Sequence, residues 1–132
     1  METIILTHRW MEHFIYLMAG LAVIFPLIDV IRKKSFSTPA IWAVRIYSIV
    51  LTLQFLIGLI QLILRWSDFG DGLRYRIEHA TIMLLALTSV HLAPRYMKLA
   101  NTKGARNTMF LMVGSIILIV LGTTLIKGAL RG

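Results

Sequence analysis

Cysteine is absent from this 132-residue chain, which excludes disulfides, thiol catalysis, zinc–thiolate sites, iron–sulfur clusters and covalently attached c-type heme. Charged residues are also scarce: they make up 15% of the chain, against about 25% in soluble proteins. Among the charged residues the acidic ones are fewer: the chain has 6 Asp and Glu against 14 Lys and Arg, which gives a formal net charge of +8. The basic residues lie between long apolar runs, so we predict a lipid bilayer as their partner and no nucleic acid.

Long apolar segments dominate what remains of the sequence. A helical span needs about 20 mostly apolar residues, and the alternation that would indicate a β-barrel is missing. Four segments are predicted to span: Phe14 to Ile31, Ile46 to Leu64, Ala80 to Pro94 and Asn107 to Ile126. The third is short, and residues 76–79 can supply its first turn. We therefore predict an all-α integral membrane protein with a single transmembrane domain over 1–132. With their polar flanks included, its helices are expected at approximately 4–31, 40–66, 74–95 and 106–127.

The links between the segments are short and carry turn signals. Ser37 and Thr38 precede Pro39, which is typical of a helix start, and Asp68 to Gly72 has the chemistry of a tight turn. Short links favour an antiparallel four-helix bundle with up-down-up-down topology. The first segment is too long for a cleaved signal peptide, and we predict that it is a retained helix.

The basic residues also predict an orientation. They are concentrated in the first and third links, whereas the second link mixes both signs. The positive-inside rule then places links one and three in the cytoplasm and both termini outside. Trp10, Trp66 and Tyr75 are expected at the outer interface and Trp42 at the inner one. Asp29 lies beside Arg32 and Lys33, and we expect an interfacial ion pair there.

Polar residues inside the predicted helices usually face the bundle interior, because they are costly in lipid. Tyr47, Gln54 and Gln61 recur every seven residues on helix two and therefore share one face, with Gly58 between the glutamines. One interpretation is hydrogen bonding between helices, worth about 1 kcal/mol for each residue. The other is a polar lining for a cofactor or quinone pocket. Helix four carries few polar residues, and we expect it to serve packing.

Four histidines carry the most chemical information: His8, His13, His79 and His91. His79 and His91 lie about 18 Å apart along helix three, so they cannot bind the same metal. His79 and a histidine of helix one fall at similar depth near the outer end. Two histidines on facing helices can bind a heme iron from both sides. The alternative is that they are solvated residues at the membrane interface.

A heme at this depth would need further groups. The second nitrogen of a ligating imidazole needs an acceptor, for which Gln61 or a backbone carbonyl would serve. Heme propionates need cations. Four arginines near the outer end are placed for that role: Arg9, Arg65, Arg74 and Arg76. Glu78 precedes His79 and points about 100° away from it, so we expect Glu78 to pair with Arg65, Arg74 or Arg76, or to carry protons.

Four stretches, taken in order, resemble one family. They are His8-Arg9-Trp10, the basic-aromatic run Lys33-Lys34-Ser35-Phe36-Ser37, the Gln54 to Leu59 stretch, and Glu78-His79 followed by Met83 and His91. In these stretches the chain resembles small bacterial membrane proteins labelled "cytochrome b" that are abundant in Bacteroidetes. The resemblance implies heme b, electron transfer and a bacterial cytoplasmic (inner) membrane, and it favours His8 over His13. The link from Asp68 to Arg76 is shorter here than in many members.

Two hypotheses follow from the sequence. The first is a b-type cytochrome-like membrane protein with one bis-histidine heme b near the outer face, exchanging electrons with a quinol or a partner redox protein. His8 and His79 are its predicted iron ligands, with His13 and His91 as alternates, and Gln54, Gln61 and Arg76 are predicted to line the site. The second is a non-catalytic accessory subunit of a larger membrane complex, with no cofactor of its own.

Overall fold

Four long helices make up nearly all of the fold. A computed structural model of the chain describes residues 2–34, 37–68, 70–98 and 102–131. In chain order the helices are α1 (Glu2–Ile31), α2 (Thr38–Leu64), α3 (Leu73–Met97) and α4 (Thr102–Arg131), with two 3₁₀ turns, Trp66–Asp68 and Gly70–Gly72, between α2 and α3. The prediction of an all-α chain with four helices is confirmed. All four helices are long and apolar enough to cross a membrane.

The helices are longer than the apolar segments that predicted them, most clearly around the third link. α3 continues through Pro94 to Met97, and α4 begins at Thr102, so the link expected between residues 95 and 106 is shorter than predicted. Residues 99–101 lie outside the described residues. Hydropathy marks the apolar part of a helix and not its end, because a helix can continue into polar surroundings. Pro94 removes one backbone donor but lies close enough to the helix end to be tolerated.

The link between α1 and α2 is organised by Asp29. Two residues after the end of α1, Lys33 adopts the left-handed conformation (φ 55°), and the amide of Lys34 donates to the carbonyl of Asp29 at 2.9 Å, which is a Schellman arrangement. The Asp29 carboxylate accepts the backbone N–H and the hydroxyl of Ser37, at 2.9 and 2.8 Å. Ser37 is the N-cap of α2, as predicted.

This arrangement corrects the prediction for Asp29. Among the described residues Asp29 pairs with Ser37 and forms no ion pair with Arg32 or Lys33, because α1 turns the carboxylate inward, where it is buried. Ser35 and Phe36, which belong to the basic-aromatic stretch of the family resemblance, lie outside the described residues. In the second link, Gly70 has φ 50°, a conformation that favours glycine and agrees with the predicted turn.

Each helix packs against its neighbours in sequence, and α1 also packs against α4, so the four helices enclose a common core. Small residues are prominent in it: Ala19, Ala22, Ala86 and Ala93 are almost fully buried. Small side chains let helix backbones approach closely, which is the usual basis of packing between membrane helices. Large apolar side chains such as Leu17 lie exposed on the outside of the helices.

The two ends of this core differ. We call the end that holds the buried residues Ala22, Ala40, Ala93 and Ala105 the alanine end. At the other end, the first turns of α1 and α3 meet the last turns of α2 and α4 around an open space. We call this the cavity end.

Candidate functional site

The cavity end encloses a cavity of about 390 Å³ with contributions from all four helices. The five side chains predicted to bind a cofactor all line it: His8, His79, Gln54, Gln61 and Arg76. They come from three helices and are as far apart in sequence as residues 8 and 79. The apolar part of the lining includes Phe55, Leu59 and Met83. A volume of this size lies within the range of pockets that bind small molecules and cofactors.

His79, in the second turn of α3, has a fixed ring. Its Nδ1 lies 3.0 Å from the carbonyl oxygen of Gly122 on α4, and because a carbonyl only accepts, Nδ1 carries the proton and donates it. In a neutral imidazole the lone pair is then on Nε2, the form that binds a metal. The predicted acceptor was Gln61 or a backbone carbonyl, and the structure shows the carbonyl.

Gly122 permits this hydrogen bond because it has no side chain. A Cβ on Gly122 would lie 2.8 Å from Cε of Met83 and 3.1 Å from Cγ2 of Ile82, so α3 and α4 approach closely there. α4 packs closely against α3, as expected, and in addition supplies the partner of His79, which the sequence did not predict. Its residues Ile119, Thr123 and Ile126 also line the cavity at spacings of four and three, a helical period that could have been read from the sequence.

His8, in the second turn of α1, is held differently. Its backbone carbonyl accepts a 2.7 Å hydrogen bond from Nε2 of Gln54. Its ring lies against Gly58, where a Cβ would be only 3.0 Å from Cε1 of the imidazole. Nδ1 of the ring is buried and has no hydrogen-bond partner among the described residues. The main chain of His8 is thus anchored to α2, whereas its ring is positioned by packing alone.

The polar face of α2 divides into two parts. Tyr47 is fully buried and its hydroxyl lies 2.8 Å from the hydroxyl of Ser115, so this residue joins α2 to α4. Gln54 and Gln61 are also buried, at 9% and 8% exposure. The Oε1 atoms of both glutamines have no donor within the described part of the chain. A buried acceptor without a donor costs stability, and a bound group or an ordered water that donates hydrogen bonds would recover it.

Positive charge surrounds the cavity. Arg9, Arg65, Arg76 and Lys127 line it, against the single described carboxylate of Glu12, which lies 3.0 Å from Nζ of Lys127. This excess of positive charge suits an anionic group. Lys127 was missed from the sequence because it lies at the far end of the chain from His8, and only the packing of α4 against α1 brings the two helices together.

Arg74 was predicted to belong to this group but does not line the cavity. It points outward and pairs with Glu78 at 2.9 Å, one helical turn further along α3. The pairing of Glu78 with one of the three arginines is therefore confirmed for Arg74. Arg74 is two residues from Arg76, and a shift of two residues on a helix moves a side chain to a different face.

The alternate histidines lie elsewhere. His13 is exposed and does not line the cavity. His91 is exposed as well, and its Nε2 is 3.4 Å from the hydroxyl of Thr52, away from the cavity end. No group of three or more metal-ligating His, Asp or Glu side chains occurs among the residues that the structure describes. A heme requires fewer protein ligands, because the porphyrin supplies the other nitrogens.

Comparison with known protein families, curated proteins and solved structures finds no match to this chain. The likeness to the "cytochrome b" proteins therefore remains a resemblance, and the function has to be argued from the geometry of the cavity.

Proposed function

We propose that this protein is a b-type cytochrome-like membrane protein that holds one heme between His8 and His79. The observation that carries the proposal is that these two histidines, from different helices, line the same cavity while Nδ1 of His79 is engaged by Gly122. The engaged nitrogen leaves Nε2 with its lone pair, which a metal ligand requires. The protein would exchange electrons with a quinol or with a partner redox protein.

The residues present fit heme b. His8 and His79 would supply two imidazole ligands, and the apolar side chains Phe55, Leu59 and Met83 would contact the ring. Arg9, Arg76 and Lys127 would neutralise the propionates. Gly58 keeps the face of α2 beside His8 free of a side chain. When bound, heme supplies reversible one-electron transfer, and the surrounding protein sets its potential through burial and second-sphere hydrogen bonds.

The proposal includes a placement in the bilayer. The four helices would form an up-down-up-down antiparallel bundle in a bacterial cytoplasmic membrane, with both termini and the cavity end on the outer side. Support comes from the exposed Trp10 and Trp66 near the cavity end and Trp42 near the alanine end, since exposed tryptophans at helix ends are typical of membrane interfaces. The basic residues at the alanine end agree with a cytoplasmic position.

A reduced-minus-oxidised spectrum of the purified protein, expressed with adequate heme, tests the proposal. We expect a b-type spectrum with the signature of two histidine ligands. His79→Ala should remove the band, and His8→Ala should abolish the bis-histidine signature. His13→Ala and His91→Ala are matched controls, because their side chains are exposed and lie outside the cavity. Absence of a Soret band from the unmodified protein would refute the proposal.

The second candidate is an accessory subunit of a larger membrane complex that has no cofactor of its own. It is supported by the hydrogen bonds from Tyr47 to Ser115 and from Gln54 to the His8 backbone, because these join helices without involving a ligand. Co-purification of a defined partner with a protein that shows no heme spectrum would favour it. A heme spectrum sensitive to His79 but not to His91 would exclude it.

A further inference from the structure

The two histidines of the cavity are held in unequal ways. The ring of His79 is fixed by a hydrogen bond to the Gly122 carbonyl, so its Nε2 has a defined direction and protonation state. The ring of His8 has no such bond, since its Nδ1 is buried without a partner among the described residues. A hydrogen bond to the second nitrogen of a ligating histidine strengthens metal binding about 10- to 100-fold. The two sides of the site should therefore differ in strength.

The surroundings of His8 also permit its ring to move while α1 stays in place. Gln54 holds the backbone carbonyl of His8 and not its ring, so rotation about the side-chain bonds leaves that contact intact. The ring already occupies the space that the missing side chain of Gly58 leaves, and it also borders the cavity, so the cavity is the open side toward which it can turn.

A displaced ring would also find acceptors. Gln54 lies four residues before Gly58 and Gln61 three residues after it, on the same face of α2. The Oε1 atoms of both glutamines are buried and have no donor within the described residues. A neutral His8 ring that moves away from the centre of the cavity could donate its N–H to one of them, which would satisfy a buried acceptor.

We infer that His8 is the exchangeable ligand of the site and that a small neutral ligand of the carbon monoxide class binds in its place. The inference rests on the proposed heme. His8 would leave as a neutral imidazole that keeps its own electron pair, and the incoming molecule would supply the pair that replaces it, so the exchange needs no oxidant or reductant. His79, whose ring is held by the Gly122 carbonyl, would continue to hold the heme.

Carbon monoxide added to the dithionite-reduced, heme-loaded protein tests the inference. The unmodified protein should bind it at a rate that levels off as its concentration rises, because His8 must first leave. His8→Ala should retain heme and bind carbon monoxide faster, at a rate that no longer levels off, whereas His79→Ala should lose the heme. Two results would overturn the inference: a bis-histidine spectrum that carbon monoxide does not change, or loss of heme from His8→Ala as complete as from His79→Ala.

A second measurement does not require heme. In the full-length protein in detergent, ¹⁵N NMR of labelled histidines, assigned with His8→Ala and His79→Ala, should show a single Nδ1–H tautomer for His79 and a mixture for His8. Equal tautomer populations in the two histidines would contradict the inference. A protein that shows the unequal tautomers but never binds heme would refute the proposed function and its carbon monoxide chemistry, while leaving the difference between the two rings established.

Discussion

The alanine end and the cavity end of the helix bundle differ in how closely the helices pack and in whether their buried polar groups have partners. At the alanine end, small side chains close the space between helices, and the buried carboxylate of Asp29 receives two hydrogen bonds from Ser37. At the cavity end, space stays open, and the buried polar atoms without a partner among the described residues include Nδ1 of His8 and Oε1 of Gln54 and Gln61. Oγ1 of Thr108, near the alanine end, also has no partner among the described residues and is the exception to this division.

The difference shows which polar groups hold the fold and which are available to a ligand. A buried polar group that is fully paired stabilises one packing arrangement. A buried polar group that lacks a partner lowers stability unless something binds to it. Substitutions at the alanine end should therefore change stability and leave ligand binding intact, and substitutions at the cavity end should do the reverse.

Gly58→Leu should have the largest effect at the cavity end. Its Cβ would already lie 3.0 Å from the His8 ring, and the rest of the leucine side chain would occupy the space beside that ring. We expect the ratio of heme to protein to fall about tenfold or more, with the thermal unfolding of the heme-free protein nearly unchanged. Gly20→Leu is the matched control, because no atom lies within 4 Å of its Cβ. Equal heme content in the two variants would contradict the assignment of the cavity.

Ala22→Leu tests the alanine end by overfilling it. Ala22 is fully buried, and added methylene groups in a closely packed core cost about 1–3 kcal/mol. We expect a lower free energy of unfolding in a detergent titration, with heme content per folded protein unchanged. Gly20→Leu on the same helix again serves as the control. Loss of heme from folded Ala22→Leu protein would show that the two ends are not independent.

Ser37→Ala should have a smaller effect at the same end. It removes the hydroxyl that donates to Asp29 and that caps the first turn of α2, and loss of such a cap costs about 1 kcal/mol. Thermal unfolding in detergent would measure this. Ser37→Thr keeps the hydroxyl and should behave like the unmodified protein. If Ser37→Ala and Ser37→Thr unfold alike, the hydroxyl does not hold Asp29 in place.

Tyr47→Phe should have the smallest effect. It removes the hydrogen bond to Ser115 between α2 and α4, and such bonds within membrane helices contribute about 0.6 kcal/mol. A double-mutant cycle with Ser115→Ala would isolate the coupling between the two hydroxyls. Tyr16→Phe is the control, because no hydrogen bond of its hydroxyl is found in the described structure. A coupling energy of zero would mean that Tyr47 stabilises the bundle by packing only.

Much of the candidate site could be predicted from sequence because it depends on distances along a helix. The seven-residue spacing of Tyr47, Gln54 and Gln61 places them on one face, and all three are buried. Because His79 and His91 are 12 residues apart on one helix, they lie near different ends of the helix bundle. The position of Lys127 in the cavity lining could not be predicted in this way. The spacing of residues along α4 does not show which other helix the Lys127 side chain faces.

The sequence by itself determined that four apolar helices form, where α2 begins, and which histidines share a depth, since local hydrogen bonding and hydropathy decide these features. Only the tertiary structure decided that Gly122 receives the Nδ1 proton of His79, that His8 rests on Gly58, and that Asp29 binds Ser37 and not a basic neighbour. Each of these depends on the rotation of one helix about its axis relative to another. The rotation of a helix is set by how its side chains pack against the neighbouring helix, and the residue pattern of a single helix does not determine it.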